Sequence, residues 1–193
     1  MHYDGSARGT TTSALGHLAL GLTLLAFGLG TTRVINGVTA ADAITIATYV
    51  GGIALFVSGV LAFHEGSPFN GTAFAGLGAF WFAWTSIDSK VAANAAGLFL
   101  ALFALLALSL VVGTRAESPF LRGTYGLLFL ALLLLASAQF ADSLPVAKAA
   151  GWVTAVAGAA FWYSATASLG NWPTGPEPAA VGPASSPSDP PVR

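Results

Sequence analysis

The chain has 193 residues, of which 55% are hydrophobic and only 8% charged, with a net charge of −1. A water-facing surface carries roughly 25% charged residues, so the chain cannot clothe a soluble domain and its fitting solvent is lipid. The balanced charge leaves no basic footprint for nucleic acid, and the lack of cysteine removes disulfides, thiolate chemistry and Cys-ligated metals.

Residues 1–13 read as a polar N-terminal segment, followed by an apolar stretch that defines a first span at 14–32. Arg8 before that stretch and Val38-Thr39-Ala40 after it faintly resemble a signal peptide. The cleavage site lies too far downstream, however, and more spans follow, so the first is expected to be retained. His17 sits near its start. Such a histidine is either an interfacial residue touching water or a group that shuttles protons or binds an anion. A second span is predicted at 41–63, and its end runs into the turn 64–71, which opens with His64 and Glu65. That pair reads as a solvated loop or as a proton-sensing pair.

A third, short span is predicted at 72–87, then others at 91–112, 120–140 and 146–169. A helix needs roughly 20 residues to cross the hydrocarbon, which five of the six segments supply. The fold class is therefore all-α: a polytopic membrane protein with six transmembrane helices. Residues 170–193 hold seven of the ten prolines and are expected to be disordered.

No Lys, Arg, Asp or Glu falls well inside a span, although such residues mark most ion-coupled pumps. The polar interior would then consist of hydroxyls and amides: Thr23, Thr45, Thr48, Ser58, Thr72, Thr85, Ser109, Ser137, Gln139, Thr154 and Ser164. Thr72, opening the third span, is placed to bring helix N-terminal amides toward an anion. Glycines recur seven apart: Gly21 and Gly28, Gly52 and Gly59, Gly71 and Gly78, Gly151 and Gly158. Seven residues are close to two helical turns, so each pair shares a face. There it permits close helix packing or keeps a narrow passage open. The three histidines, His2, His17 and His64, lack metal-ligand spacing. With no phosphate loop or nucleophile constellation either, no enzyme activity, metal or cofactor is expected. Arg8, Arg115 and Arg122 on the terminal side balance Arg33, Lys90 and Lys148 on the other, so charge bias does not orient the chain.

The stretch "YVGGIALFVSGVLAFHEGSPFNGTAFAGLGAFWF", residues 49–82, resembles the signature region of the acetate uptake transporter family. That family includes bacterial acetate/succinate–proton symporters and yeast ammonia/acetate exporters. The similar residues are Gly51, Gly52, Ile53 and Ala54, then Gly59, then the turn Gly66-Ser67-Pro68-Phe69-Asn70-Gly71-Thr72-Ala73-Phe74, then Gly78-Ala79-Phe80-Trp81. Gly113-Thr114 and Gly151-Trp152 are similar as well. The signature glycines are thus Gly51, Gly52, Gly59, Gly71 and Gly78. Three places depart from the family pattern. Of the Asn-Pro-Ala-Pro-Leu-Gly-Leu motif only Leu15-Gly16 survives, Leu55 replaces a polar amide, and Ala62 replaces a carboxylate, with Glu65 a turn later.

The resemblance implies a homo-hexameric ring in which each protomer holds its own pathway. The pathway would be narrowed by Leu20, Leu77 and Leu128. Its mouth and the adjoining helix end fall on Leu15, Gly16, His17, Thr72, Ala73 and Phe74, which makes the turn 64–71 a vestibule. Phe80, Trp81, Phe82 and Trp84 are candidates for the subunit interface. An apolar ring favours a neutral acid over its anion, because an ion must shed water there. The implied function is a transporter or channel for small monocarboxylates such as acetate, with succinate a further candidate, and with proton linkage. The implied location is the cytoplasmic (inner) membrane, with both termini cytoplasmic. Two alternatives stay open: a non-transporting membrane scaffold of the same fold, and a pathway for a small neutral solute such as ammonia.

Overall fold

The structure is a computed structural model that describes residues 5–87, 91–114, 118–170 and 172, with side chains from residue 11 onward. Asp88, Lys90, Arg115, Glu117 and nearly all of the proline-rich tail lie outside the described residues. Among the described residues every regular element is helical: α1 (Gly5–Thr32), α2 (Ala40–Ala47), a π-helical stretch (Thr48–Ala54), α3 (Leu55–His64), α4 (Pro68–Ile87), α5 (Ala93–Gly113), α6 (Pro119–Ala141) and α7 (Leu144–Gly170). The second rod is α2, the π stretch and α3 run together, which makes six rods among the described residues.

Local chemistry sets the helix ends. Thr39 caps α2 with a reciprocal box: its backbone N–H donates to Asp42 Oδ2 at 2.9 Å, and Asp42 N–H donates back to Thr39 Oγ1. Ser118 caps α6 with Pro119 behind it, a residue whose missing N–H costs nothing in a first turn. Asp142 closes α6 in the left-handed region at φ 45°. The turn between α3 and α4 needs Gly66, at φ +74°.

Two boundaries differ from the sequence reading. The polar residues before Ala14 continue α1 back to Gly5. The third rod opens at Pro68, one turn before Thr72, because Pro68 suits a helix start and the Ser67 carbonyl accepts from Gly71 N–H at 2.9 Å. Its 20 residues reach about 30 Å at 1.5 Å per residue. The other five rods are each long and apolar enough to cross a membrane: Thr11–Thr32, Ala40–His64, Ala93–Gly113, Pro119–Phe140 and Leu144–Gly170.

The rods close into a ring, α5 on α6, α6 on α7, α7 on α1, α1 on the second rod, and that rod on α4, which meets α5. The glycines fix the tightest seams. A Cβ on Gly28 would lie 2.5 Å from Ala155 N, and one on Gly158 would lie 2.6 Å from Leu25 N. Gly21 meets the backbone of Trp162 and Gly158, and Gly28 meets that of Gly151, so α1 and α7 run antiparallel. A second seam joins Gly59 to Ala75 and Gly78 to Phe56, between α3 and α4. Helices in lipid lack a hydrophobic drive to associate, so this close fit supplies the dispersion contact that holds them.

The exterior is apolar. Leu98, Leu102 and Leu105 along α5 are each more than half exposed on the protomer. In water such a stripe would be an association hazard; against acyl chains it has no such cost.

Candidate functional site

Three rods, α1, α4 and α6, each turn one stripe toward the centre of the ring. Along α1 it runs His17, Leu20, Leu24, Phe27; along α4 Phe74, Leu77, Trp81, Trp84; along α6 Tyr125, Leu128, Leu132, Leu135. All twelve residues are buried. The steps of three and four residues are those of one helix face. The stripes stack into layers, and α7 adds Phe161 and Thr154.

Leu20, Leu77 and Leu128 are 1%, 2% and 1% exposed and belong to one apolar cluster. On the side of the chain termini they are capped by aromatic residues. The His17 ring lies 5.0 Å from the ring of Phe74, edge to face, and 5.8 Å from that of Phe161, stacked. Tyr125 packs on both His17 and Phe161. Ser13 Oγ is 3.4 Å from His17 Nδ1, whereas His17 Nε2 is buried without a partner. Gly16 makes room for this layer, because any Cβ there would collide with the Phe74 ring. One turn outward, Thr12 donates to Glu65 Oε1 at 2.6 Å, which ties α1 to the 64–71 turn.

On the other side of the leucines lies a gap of about 10 Å³ lined by Leu24, Trp81, Leu128 and Thr154 among others, the threshold for a single water at about 10–15 Å³. Phe27 and Leu135 line both this gap and a larger cavity of about 310 Å³. Arg33, Thr31, Thr39, Gln139 and Trp84 line the large cavity, whose volume equals that of about ten waters at 30 Å³ each. It opens at the α1–α2 loop. Trp84 is buried in its wall, and its indole N–H has no partner; leaving such a donor unpaired costs about 1–3 kcal/mol.

The residues expected at the mouth thus divide. Gly16, His17, Ala73 and Phe74 are buried, with Gly16, His17 and Phe74 in contact. Leu15 is 49% exposed and Thr72 is also exposed; both face away from the interior. Thr72 lies in the second turn of α4, past its first N–H groups. The 310 Å³ cavity is at the end opposite the 64–71 turn. Gly51 and Gly52 sit in the π stretch, where a Gly51 Cβ would meet Trp81 and Thr23 at 2.6 and 2.7 Å.

Two expectations are corrected. Phe80, Trp81 and Trp84 are 4%, 1% and 2% exposed inside the protomer. They stack on Phe99 and meet Phe27 and Phe103 edge to face, which leaves Phe82, 41% exposed, as the outward member of the proposed interface set. The polar set does not form a continuous lining either. Gln139 borders the large cavity and Thr154 the small gap, but Thr23, Ser58 and Thr154 donate to Ala19, Ala54 and Ala150 of their own helices, as a group without water must. Thr45, Thr72, Thr85, Ser109 and Ser137 are exposed on the protomer.

Sequence reasoning missed Tyr125, Phe161 and Trp84 as members of the layers. Extending the leucine positions by three and four residues along each helix would have found Tyr125, and the glycine register of α1 on α7 places Phe161 beside His17.

Six apolar rods packed on glycine seams, with an outer surface fit only for acyl chains, define an integral membrane protein. Residues 6–174 match the GPR1/FUN34/yaaH family, to which the chain belongs. The chain is 30% identical over 152 residues to the succinate-acetate/proton symporter SatP of Escherichia coli strain K12, covering 72% of this chain and 80% of that protein. It is 26% identical over 151 residues to a glyoxylate pathway regulator of Yarrowia lipolytica, covering 72% of this chain but 56% of that longer protein. Its fold is similar to the structure of the bacterial acetate channel SatP, with a TM-score of 0.77 at 24% identity, over 83% of this chain and 92% of the other.

Proposed function

We propose that the chain carries small monocarboxylates such as acetate across the cytoplasmic membrane, in company with a proton, through a path inside each protomer. The observation that carries this reading is the stacked centre of the ring: a cavity of about 310 Å³ at one end leads by Phe27 and Leu135 to a closed layer at Leu20, Leu77 and Leu128. Family membership and the 30% identity to a succinate-acetate/proton symporter support the substrate class. We further propose a homo-hexameric ring with both termini in the cytoplasm, which would cover part of the apolar exterior.

Magnitudes favour the undissociated acid as the species that crosses. A carboxylic acid with a pKa of about 4.3 is neutral in about one molecule in 500 at pH 7, a cost of about 3.7 kcal/mol. Moving the bare anion between leucines costs several kcal/mol or more, because no charge in the layer pairs with it. Protonation is therefore the cheaper route, and the proton travels as part of the solute. Purified protein in liposomes is expected to admit radiolabelled acetate faster than empty vesicles do, with entry rising as external pH falls. Protein-free and protein-loaded vesicles of equal permeability would refute the reading.

The tightness of the leucine layer also suits the scaffold alternative, in which nothing crosses. The same flux measurement separates the two.

A further inference from the structure

We propose that His17 is a docking site for the undissociated acid, which hydrogen-bonds to its Nε2 beside the leucine layer. The identity of the ligand rests on the transport reading above; the site itself rests on the geometry of the imidazole.

His17 is 95% buried, being 5% exposed, and its two ring nitrogens are unlike. Nδ1 has Ser13 at 3.4 Å. Nε2 has no partner and no solvent access, and the imidazole packs against the rings of Phe74, Phe161 and Tyr125. Buried polar atoms are nearly always paired, so one left bare next to a path points to a partner that comes and goes. Its position suits that role. Leu20 follows three residues later on the same helix, about 4.5 Å along the axis, so a solute halted at the leucines lies within reach of the ring.

Chemistry selects the partner. A neutral imidazole keeps one N–H and one lone pair. With Nδ1 engaged by Ser13, Nε2 is whichever of the two remains. A carboxylic acid presents an O–H donor and a C=O acceptor and pairs with either. A carboxylate pairs with the N–H alone and brings an uncompensated charge among three aromatic rings. The short alkyl end of the acid meets the faces of Phe74 and Phe161. Among the described residues, Tyr125 on α6 packs on the His17 ring and Glu65 at the α3–α4 turn is held by Thr12 one turn outward. Because Nε2 is shielded, the acid reaches it when one of the rings turns aside.

The test compares His17→Leu and His17→Gln with the unaltered full chain in proteoliposomes, reading the half-saturation of acetate entry at about pH 5, where about one acid molecule in six is neutral. Leucine fills the apolar cage without a polar atom, and half-saturation is expected to rise about tenfold. Glutamine offers both a carbonyl and an N–H, and is expected to restore it to within about threefold. A His17→Leu protein that carries acetate with unchanged half-saturation overturns the proposal. If even the unaltered chain carries no acetate, the transport reading fails by itself. The docking site is then judged on the ¹⁵N shift of His17 Nε2 in the full chain titrated with acetic acid. Movement that acetate-free buffer at the same pH does not produce supports the site, and a static signal overturns it.

Discussion

Gly158→Leu is expected to prevent the bundle from assembling. A bare Cβ at this position already falls 2.6 Å from Leu25 N and 2.8 Å from the Gly21 carbonyl oxygen. Both atoms are backbone, so no rotamer change relieves the clash, and α1 and α7 must separate along their whole seam. Overpacking against side chains costs about 1–3 kcal/mol; against a rigid helix backbone the loss is expected to exceed about 3 kcal/mol. Thermal unfolding of the detergent-solubilised protein should show either a collapse of Tm or no folded peak on gel filtration. Gly123→Ala is the control. Its Cβ meets nothing within 4 Å, and alanine gains up to about 1 kcal/mol in helix propensity. A Gly158→Leu protein as stable as the control would show that α1 and α7 are not joined at this seam.

Leu77→Trp is expected to lower acetate flux by at least about a hundredfold. Leu77 is 2% exposed in a layer with Leu20 and Leu128, and the adjoining gap of about 10 Å³ cannot take an indole. The added ring either fills the space between the stripes or forces them apart. A fold check by circular dichroism distinguishes the two, because only the first leaves stability near that of the unaltered chain. Barrier arithmetic makes the size plausible: about 2.7 kcal/mol added to the crossing step is a hundredfold in rate. The opposite change, Leu77→Ala, removes the apolar seal at a cost of about 2–5 kcal/mol in stability and should raise the flux of the acid. Flux through Leu77→Trp at the unaltered rate would place the path elsewhere.

The membrane bundle was legible because its signals are long. Runs of about 20 apolar residues survive any local irregularity, and the paired glycines of α1 and α7 do form a seam. What escaped depended on neighbours remote in sequence. Nothing distinguishes Leu20, Leu77 and Leu128 from other leucines in these spans; a family resemblance singled them out, and the structure places them in one buried cluster. The π stretch at Thr48–Ala54 lengthens each backbone hydrogen-bond step by one residue, a change that leaves hydropathy untouched. Trp84 is a candidate for the subunit interface on sequence, because an aromatic in an apolar span carries no mark of which way it faces, yet packing on Phe80 and Phe99 turns it inward. The cavity at Arg33 and Gln139 needs the α1–α2 loop and the α6 terminus together, and neither segment carries a mark of it.

The absence of native cysteine makes single-cysteine labelling the most direct test of a path between the leucines. In proteoliposomes, Leu77→Cys and Leu128→Cys should react with a small methanethiosulfonate reagent, lose acetate flux on reaction, and be protected by acetate. Leu105→Cys, on the outer face of α5, should show neither the loss of flux nor the protection. Acetate flux that persists at full rate after complete modification at residues 77 and 128 would contradict the account.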